Sequence, residues 1–208
     1  IKYYDLALQV HRESDDRRGE CLTLNRLGEI YAGLGEMQRA IVYYETQLEI
    51  ARKSGDRREE GLALGSLGLA YSDLEESEQA ITCFKAQLAL TRETGDRRGE
   101  GAALGHLGAV YSVLSEIWLA ITYFEAQLPI ARENGERDTE GTCLEQLGAA
   151  YQRLGETGQA VSYYEQALAV KRELNDRHGE GAVLGALGGI YLSLEQSLQA
   201  IAYFEQQL

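Results

Sequence analysis

The chain has 208 residues, 44% of them apolar, enough to bury a continuous core. Its net charge of -13 argues against nucleic acid, which needs a basic face to neutralise phosphate, and disfavours docking on an anionic membrane. A basic or largely apolar protein partner complements such a surface better.

The N-terminus does not read as a secretory signal, because Lys2, Asp5, His11 and Arg12 interrupt the apolar residues. No apolar run approaches the ~18 residues of a membrane span. Residues 1–14 align with residues 41–54, so the chain opens inside the second helix of a partial repeat. Full repeats then occupy 15–54, 55–94, 95–134 and 135–174, and 175–208 is a truncated repeat; all of them form one array. Self-alignment carries this division. Leu24, Leu64, Leu104, Leu144 and Leu184 recur every 40 residues, as do Leu27-Gly28, Tyr31 and Ala40 and their equivalents, with no insertion or deletion.

Within a repeat, Leu24, Leu27, Gly28 and Tyr31 fall at i, i+3, i+4 and i+7, the stripe of a first helix. Ala40, Ile41, Tyr44 and Leu48 mark a second helix, and the short Gly35-Glu36 turn makes the two antiparallel neighbours. Gly28 and Ala40 permit close backbone approach, with Tyr31 and Tyr44 filling the space beside them. The joints between repeats are equally regular: Gly55-Asp56-Arg57, Gly95-Asp96-Arg97, Gly135-Glu136-Arg137 and Asn175-Asp176-Arg177. Gly or Asn ends one helix in a left-handed conformation, and the acid caps the next. Arg17, Arg57, Arg97, Arg137 and Arg177 recur with Glu20, Glu60, Glu100, Glu140 and Glu180, and this pattern predicts an ion-pair network that is structural.

The pattern resembles the tetratricopeptide repeat family along the entire chain. Leu67-Gly68-x-x-Tyr71 and Ala160-Val161-x-Tyr163-Tyr164-Glu165 carry the resemblance. The period is similar to that of the long-helix variety found in Pins-type scaffolds and in bacterial arrays. The resemblance implies an all-α, right-handed superhelical solenoid whose concave surface is lined mainly by first helices and binds a peptide or domain. Transferred by position, the lining comprises Leu22, Asn25, Glu29 and Ala32 in the first repeat, Leu62, Gly65, Leu69 and Ser72 in the second, and Ala102, Gly105, Ala109, Ser112 and Val113 in the third. The fourth repeat offers Thr142, Glu145, Ala149, Gln152 and Arg153, and the fifth Ala182, Gly185, Gly189 and Leu192. His106 lies near the same side. Many family members carry Asn just after Leu-Gly, where this chain has Glu29, Leu69, Ala109, Ala149 and Gly189. A clamp on an extended peptide is therefore not expected. Two readings of the small residues stay open: a roomy groove for an amphipathic helix, or an allowance for tight curvature.

Ile117-Trp118-Leu119 opens the second helix of the third repeat, where other repeats have mostly polar residues such as Gln38-Arg39. It is read as a second interface in preference to packing on the adjacent turn. Pro129, inside the same helix, predicts a bend or local break between Glu125 and Pro129. At the far end, Leu208 is the equivalent of Leu48, before that helix should finish. With no polar capping helix at either end, the chain reads as a piece of a longer protein whose apolar ends could self-associate.

Chemistry has no visible home. The cysteines Cys21, Cys83 and Cys143 form no CxxC pair, which argues against a disulfide framework or zinc site and suits a reduced cytoplasmic protein. No cysteine or serine is placed as a nucleophile for His106, and no GxxxxGK[ST] offers a phosphate loop. The expectation is a non-catalytic protein-interaction scaffold without a cofactor. The rival is a sensor or regulatory arm of a larger effector, either a nucleotide switch or a protease.

Overall fold

The computed structural model describes residues 1–207, so Leu208, the residue on which the truncated repeat ends, lies outside the described residues. The described chain is helical throughout apart from short turns. It divides into two compact units, Ile1–Val110 and Tyr111–Leu208.

The first unit contains α1 (Lys2–Glu13), α2 (Arg17–Gly33), α3 (Met37–Ser54), α4 (Arg57–Asp73), α5 (Ser77–Thr94) and most of α6 (Arg97–Val113). Consecutive helices pack as antiparallel neighbours, α2 on α3 and α4 on α5, with α3 also against α4. The core is the apolar stripe read from the sequence: Leu24, Leu27, Tyr31, Ala40, Tyr44 and Leu67 are buried together. Each fully buried leucine contributes about 1.5–3 kcal/mol by leaving water.

The second unit contains the end of α6 and α7 (Ile117–Glu133), α8 (Arg137–Arg153), α9 (Thr157–Glu173), α10 (Arg177–Ser193) and α11 (Ser197–Gln207). Its core repeats the arrangement with Phe124, Leu144, Leu147, Tyr164, Leu184 and Leu187. The Leu-Gly pair has a definite job in both units. The ring of Tyr44 lies over Gly28 and that of Phe84 over Gly68 in the first unit, and Tyr164 covers Gly148 in the second. A Cβ at Gly148 would stand 2.8 Å from Tyr164 Cδ1, which is closer than carbon atoms pack. The glycine therefore makes room for an aromatic ring. A second recurring contact is a stacked tyrosine pair: Tyr31 on Tyr43 in the first unit, and Tyr111 on Tyr123, Tyr151 on Tyr163 and Tyr191 on Tyr203 in the second, with centroids 5.3–5.4 Å apart.

The joints carry the expected ion pairs, and a further arginine that the joint motif does not contain. Glu60 is nearly buried and accepts from Arg57 at 2.9 Å and from Arg52 Nε at 3.0 Å. The same clasp holds Glu20, Glu100, Glu140 and Glu180 through Arg12, Arg92, Arg132 and Arg172 at 2.7–2.8 Å. One arginine ends the helix before the joint and the other begins the helix after it, so a single carboxylate ties two helices. Left-handed residues end the helices as expected, at Gly55, Gly95, Gly135 and Asn175. Asp16, Asp56, Asp96 and Asp176 cap the following helices by accepting from the backbone three residues on.

Two expectations need correction. Glu136 makes no side-chain cap on α8, because its extra methylene does not suit the short reach of an N-cap, for which Asp, Asn and Ser are preferred. Of the bend or local break expected between Glu125 and Pro129, the break is absent as well: α7 runs as one helix from Ile117 to Glu133 with the proline inside it. Pro129 and Glu125 both stand on the exposed face. The carbonyl that loses its partner thus faces water, and the rest of the helix is held by buried Phe124, Leu128 and Ile130.

Candidate protein-binding surfaces

Positions that recur make the joints and cores; positions that vary from repeat to repeat are free to recognise something else. In the first unit, the outward face of α2, α4 and α6 carries Leu22, Leu62 and Leu69, each about half exposed at 46–51%, followed by exposed Ala102 and Ala109. Asn25 and Glu29 lie at the start of this face and bond to each other at 2.8 Å. Glu29 also accepts from Arg26, and Ser66 donates to Asn25 at 3.3 Å, so the polar groups expected to meet a ligand already hold one another. Ser72 is partly buried near the end of α4. His106 turns inward: its ring packs on Phe84 with centroids 4.7 Å apart, and burial lowers its pKa.

Charge on this face is opposite to that of the whole chain. Arg18, Arg58 and Arg98 stand one helical turn before Leu22, Leu62 and Ala102, and in the second unit Asp138 and His178 occupy the equivalent places. Beside Arg58 and Arg98, between α4, α5 and α6, lies a cavity of about 770 Å³ walled by Gly61, Leu62, Gln87, Leu90, Thr91 and Gly99. The sequence reading did not anticipate it. Its signal was the recurring Gln47, Gln87 and Gln127, together with the run Gly19, Glu59 and Gly99 at a single repeat position.

In the second unit the candidates divide into engaged and exposed groups. Arg153 is engaged: it donates to the Ser112 carbonyl at 2.7 Å, the Ser112 hydroxyl at 3.1 Å and the Ser115 hydroxyl at 3.0 Å. It therefore braces α8 against the α6–α7 turn. Gln152 accepts from the Tyr164 hydroxyl at 3.0 Å. Burial pushes the pKa of that tyrosine up to about 12, with a smaller contribution from the Glu145 charge. Val113 and Trp118 are openly exposed, at 80% and 63%, with Leu114 and Leu119 between and beside them. Ile117 turns instead toward the core of this unit. The α6–α7 turn thus presents an apolar patch. Apolar side chains are also exposed on α1 (Tyr3, Leu6, Val10) and on α11 (Leu198, Ile201, Phe204).

The three cysteines are free thiols. Burial pushes Cys21 up to about 11 and Cys143 up to about 12, far from the thiolate that nucleophilic chemistry requires. No helix among the described residues is long and apolar enough to cross a membrane.

The tetratricopeptide repeat profile matches residues 19–93, 99–173 and 142–208. This chain belongs to the tetratricopeptide repeat family. No curated protein matches it in sequence. Among solved structures it is similar to BtubC from P. vanneervenii, with 17% identity and a TM-score of 0.88 over 98% of this chain and 85% of that one. A signal-transduction ATPase from Pyrococcus horikoshii with a tetratricopeptide repeat sensor matches with a TM-score of 0.80 at 21% identity, over 95% of this chain but only 32% of that protein. Aspartyl phosphate phosphatase F from Bacillus subtilis matches with a TM-score of 0.78 at 15% identity, over 100% of this chain and 63% of that one. Identities this low establish the repeat fold, which the family assignment shares.

Proposed function

We propose that the chain is a non-catalytic binding scaffold that takes up a segment of a partner protein on the outward faces of its first helices. The observation that supports this most directly is the row of half-exposed Leu22, Leu62 and Leu69 in the first unit. A packed repeat does not require leucine there, and apolar side chains arranged on one face mark association surfaces. Tetratricopeptide repeats generally mediate protein–protein contact. The partner segment contributes apolar side chains, helical in conformation if it follows the spacing of these leucines. Asn25, Glu29, Ser72 and Ala109 border the surface in the first unit; Ser112, Val113, Glu145, Gln152 and Arg153 are the corresponding candidates in the second.

A second reading has its own observation. Ile117, Trp118 and Leu119 begin α7 with an exposed aromatic where other repeats have Gln38, Glu78 or Gly158. A chain that serves as the sensing arm of a larger effector would use such a patch to dock on its adjoining domain. The test is affinity capture from the source lysate with three baits: wild type, Leu69→Glu/Val113→Glu, and Trp118→Ala. A partner lost only with the first variant supports the scaffold. Capture that depends on Trp118 alone, or that recovers only domains of the parent protein, replaces it with the regulatory arm.

A further inference from the structure

The joints of this array share one clasp but differ in what fills the space behind it. Between α3 and α4, buried Gln47 donates to Glu59 at 3.1 Å, and the Glu59 side chain occupies the joint. Between α9 and α10, the space is taken by the buried Lys171 side chain, which pairs with Asp176 at 3.0 Å. Between α5 and α6, the equivalent of Glu59 is Gly99, and the cavity of about 770 Å³ remains. Gln87 lines it and is only 7% exposed; its carbonyl oxygen, like that of Gln47, has no hydrogen-bond partner, but here no counterpart of the Glu59 side chain fills the space beside it.

A buried carboxamide oxygen without a partner is costly, because its lost hydration is not replaced. It is also a specific receptor. It offers one acceptor and two donors on one planar group, the complement of a peptide unit, and rotation about its last bond turns either end toward the cavity. The rest of the wall defines what accompanies that peptide unit. Leu62, Leu90 and Gly61 make an apolar side, while Arg58 and Arg98 stand at the mouth near the N-terminal ends of α4 and α6. Asp96, the one acid in the wall, is already committed to capping α6 through the Gly99 amide at 3.0 Å. The volume falls within the ~300–1,000 Å³ usual for ligand pockets.

We infer that this cavity is the anchoring subsite for an acidic residue of a bound peptide, whose backbone amide pairs with Gln87 and whose carboxylate is held by Arg58 and Arg98. The inference rests on the scaffold reading and narrows it: the partner segment is apolar with an acidic anchor, although the protein as a whole is itself acidic.

The probe is a phage-displayed library of random dodecapeptides selected on the intact chain, with winners synthesised and measured by fluorescence anisotropy. Three variants are compared with wild type. Gly99→Glu/Thr91→Ala copies the Glu59 and Ala51 pairing of the preceding joint and so fills the cavity with a combination that the fold already accommodates. Arg58→Glu/Arg98→Glu reverses the mouth, and Leu69→Glu alters the outward face elsewhere on α4. Thermal denaturation confirms that each variant is folded. The expected result is winners enriched in Asp or Glu that bind at least tenfold more weakly to the first two variants, with affinity falling as salt rises. Winners that bind wild type, are lost with Leu69→Glu and ignore the first two variants overturn the subsite while leaving the scaffold intact. If no peptide is enriched, the subsite fails together with peptide binding by this face.

Discussion

Gly148 is the sharpest place to test how this array is packed. Replacing it with alanine adds one methyl group and, in a helix freed of other constraints, would stabilise by about 1 kcal/mol through propensity. Here the added Cβ would lie 2.8, 2.9 and 3.0 Å from three ring atoms of Tyr164. Ordinary carbon contacts are about 3.5–4.0 Å, so the ring must retreat by several tenths of an ångström or more. It has little freedom to do so, being 4% exposed and tethered through its hydroxyl to Gln152 at 3.0 Å. Overpacking of this kind costs about 1–3 kcal/mol, which matches or exceeds the propensity gain; the expected net loss is up to about 2 kcal/mol. Gly189→Ala is the control, since a Cβ there meets nothing within 4 Å in an equally helical setting. Urea denaturation followed by circular dichroism should show Gly148→Ala with a lower midpoint than wild type and Gly189→Ala with a higher one, at unchanged slopes. If both substitutions stabilise, the ring is not pinned over the glycine and the account of the Leu-Gly pair is wrong.

Acid should loosen the joints. Glu60, Glu100, Glu140 and Glu180 all have pKa values lowered from the ordinary 4.5. In Glu60 and Glu140 burial opposes the charge and the paired arginine hydrogen bonds outweigh it, whereas in Glu100 and Glu180 the hydrogen bonds from Arg92 and Arg172 lead. Because the folded values lie below the unfolded one, this stabilisation is complete above 4.5 and is lost as pH falls through the folded values. The urea midpoint should therefore decline below about pH 5, and Glu60→Gln/Glu100→Gln/Glu140→Gln should decline less steeply; identical slopes would remove the clasps from the explanation. Pro129→Ala restores a hydrogen bond to a helix that already continues through that position, and should raise stability by about 1–3 kcal/mol in the same assay. A neutral result would mean that hydration of the Glu125 carbonyl already replaces the bond.

The repeat and its helix pairs were legible because the demand they answer is periodic: Leu27, Gly28 and Tyr31 must face the next helix in every copy, and identity at 40-residue spacing exposes that demand. The joint was only half read. Arg57 and Glu60 drew notice as neighbours in a charged motif, while Arg52, across the turn, recurs just as faithfully and supplies the other half of the clasp. The break expected at Pro129 follows from the cost of an interior proline alone, whereas the exposed face it occupies lets the helix continue. The candidate surface was legible where exposure follows from the helical stripe, as at Leu62 and Leu69. It was not legible where neighbours decide: nothing in Arg153 itself reveals that it is occupied by Ser112 and Ser115, nor in His106 that it folds back onto Phe84.

The clasp has a consequence for how such a gene can change. Since Arg12, Arg52, Arg92, Arg132 and Arg172 meet Glu20, Glu60, Glu100, Glu140 and Glu180 through one geometry, a duplicated or deleted 40-residue block leaves behind a junction whose two halves still recognise each other. The array can lengthen or shorten by whole units without inventing a contact. What such a splice would alter is the filling behind the clasp, Glu59 in one block and Gly99 in another. Unequal crossing-over would thus shuffle recognition features along a frame that stays sound.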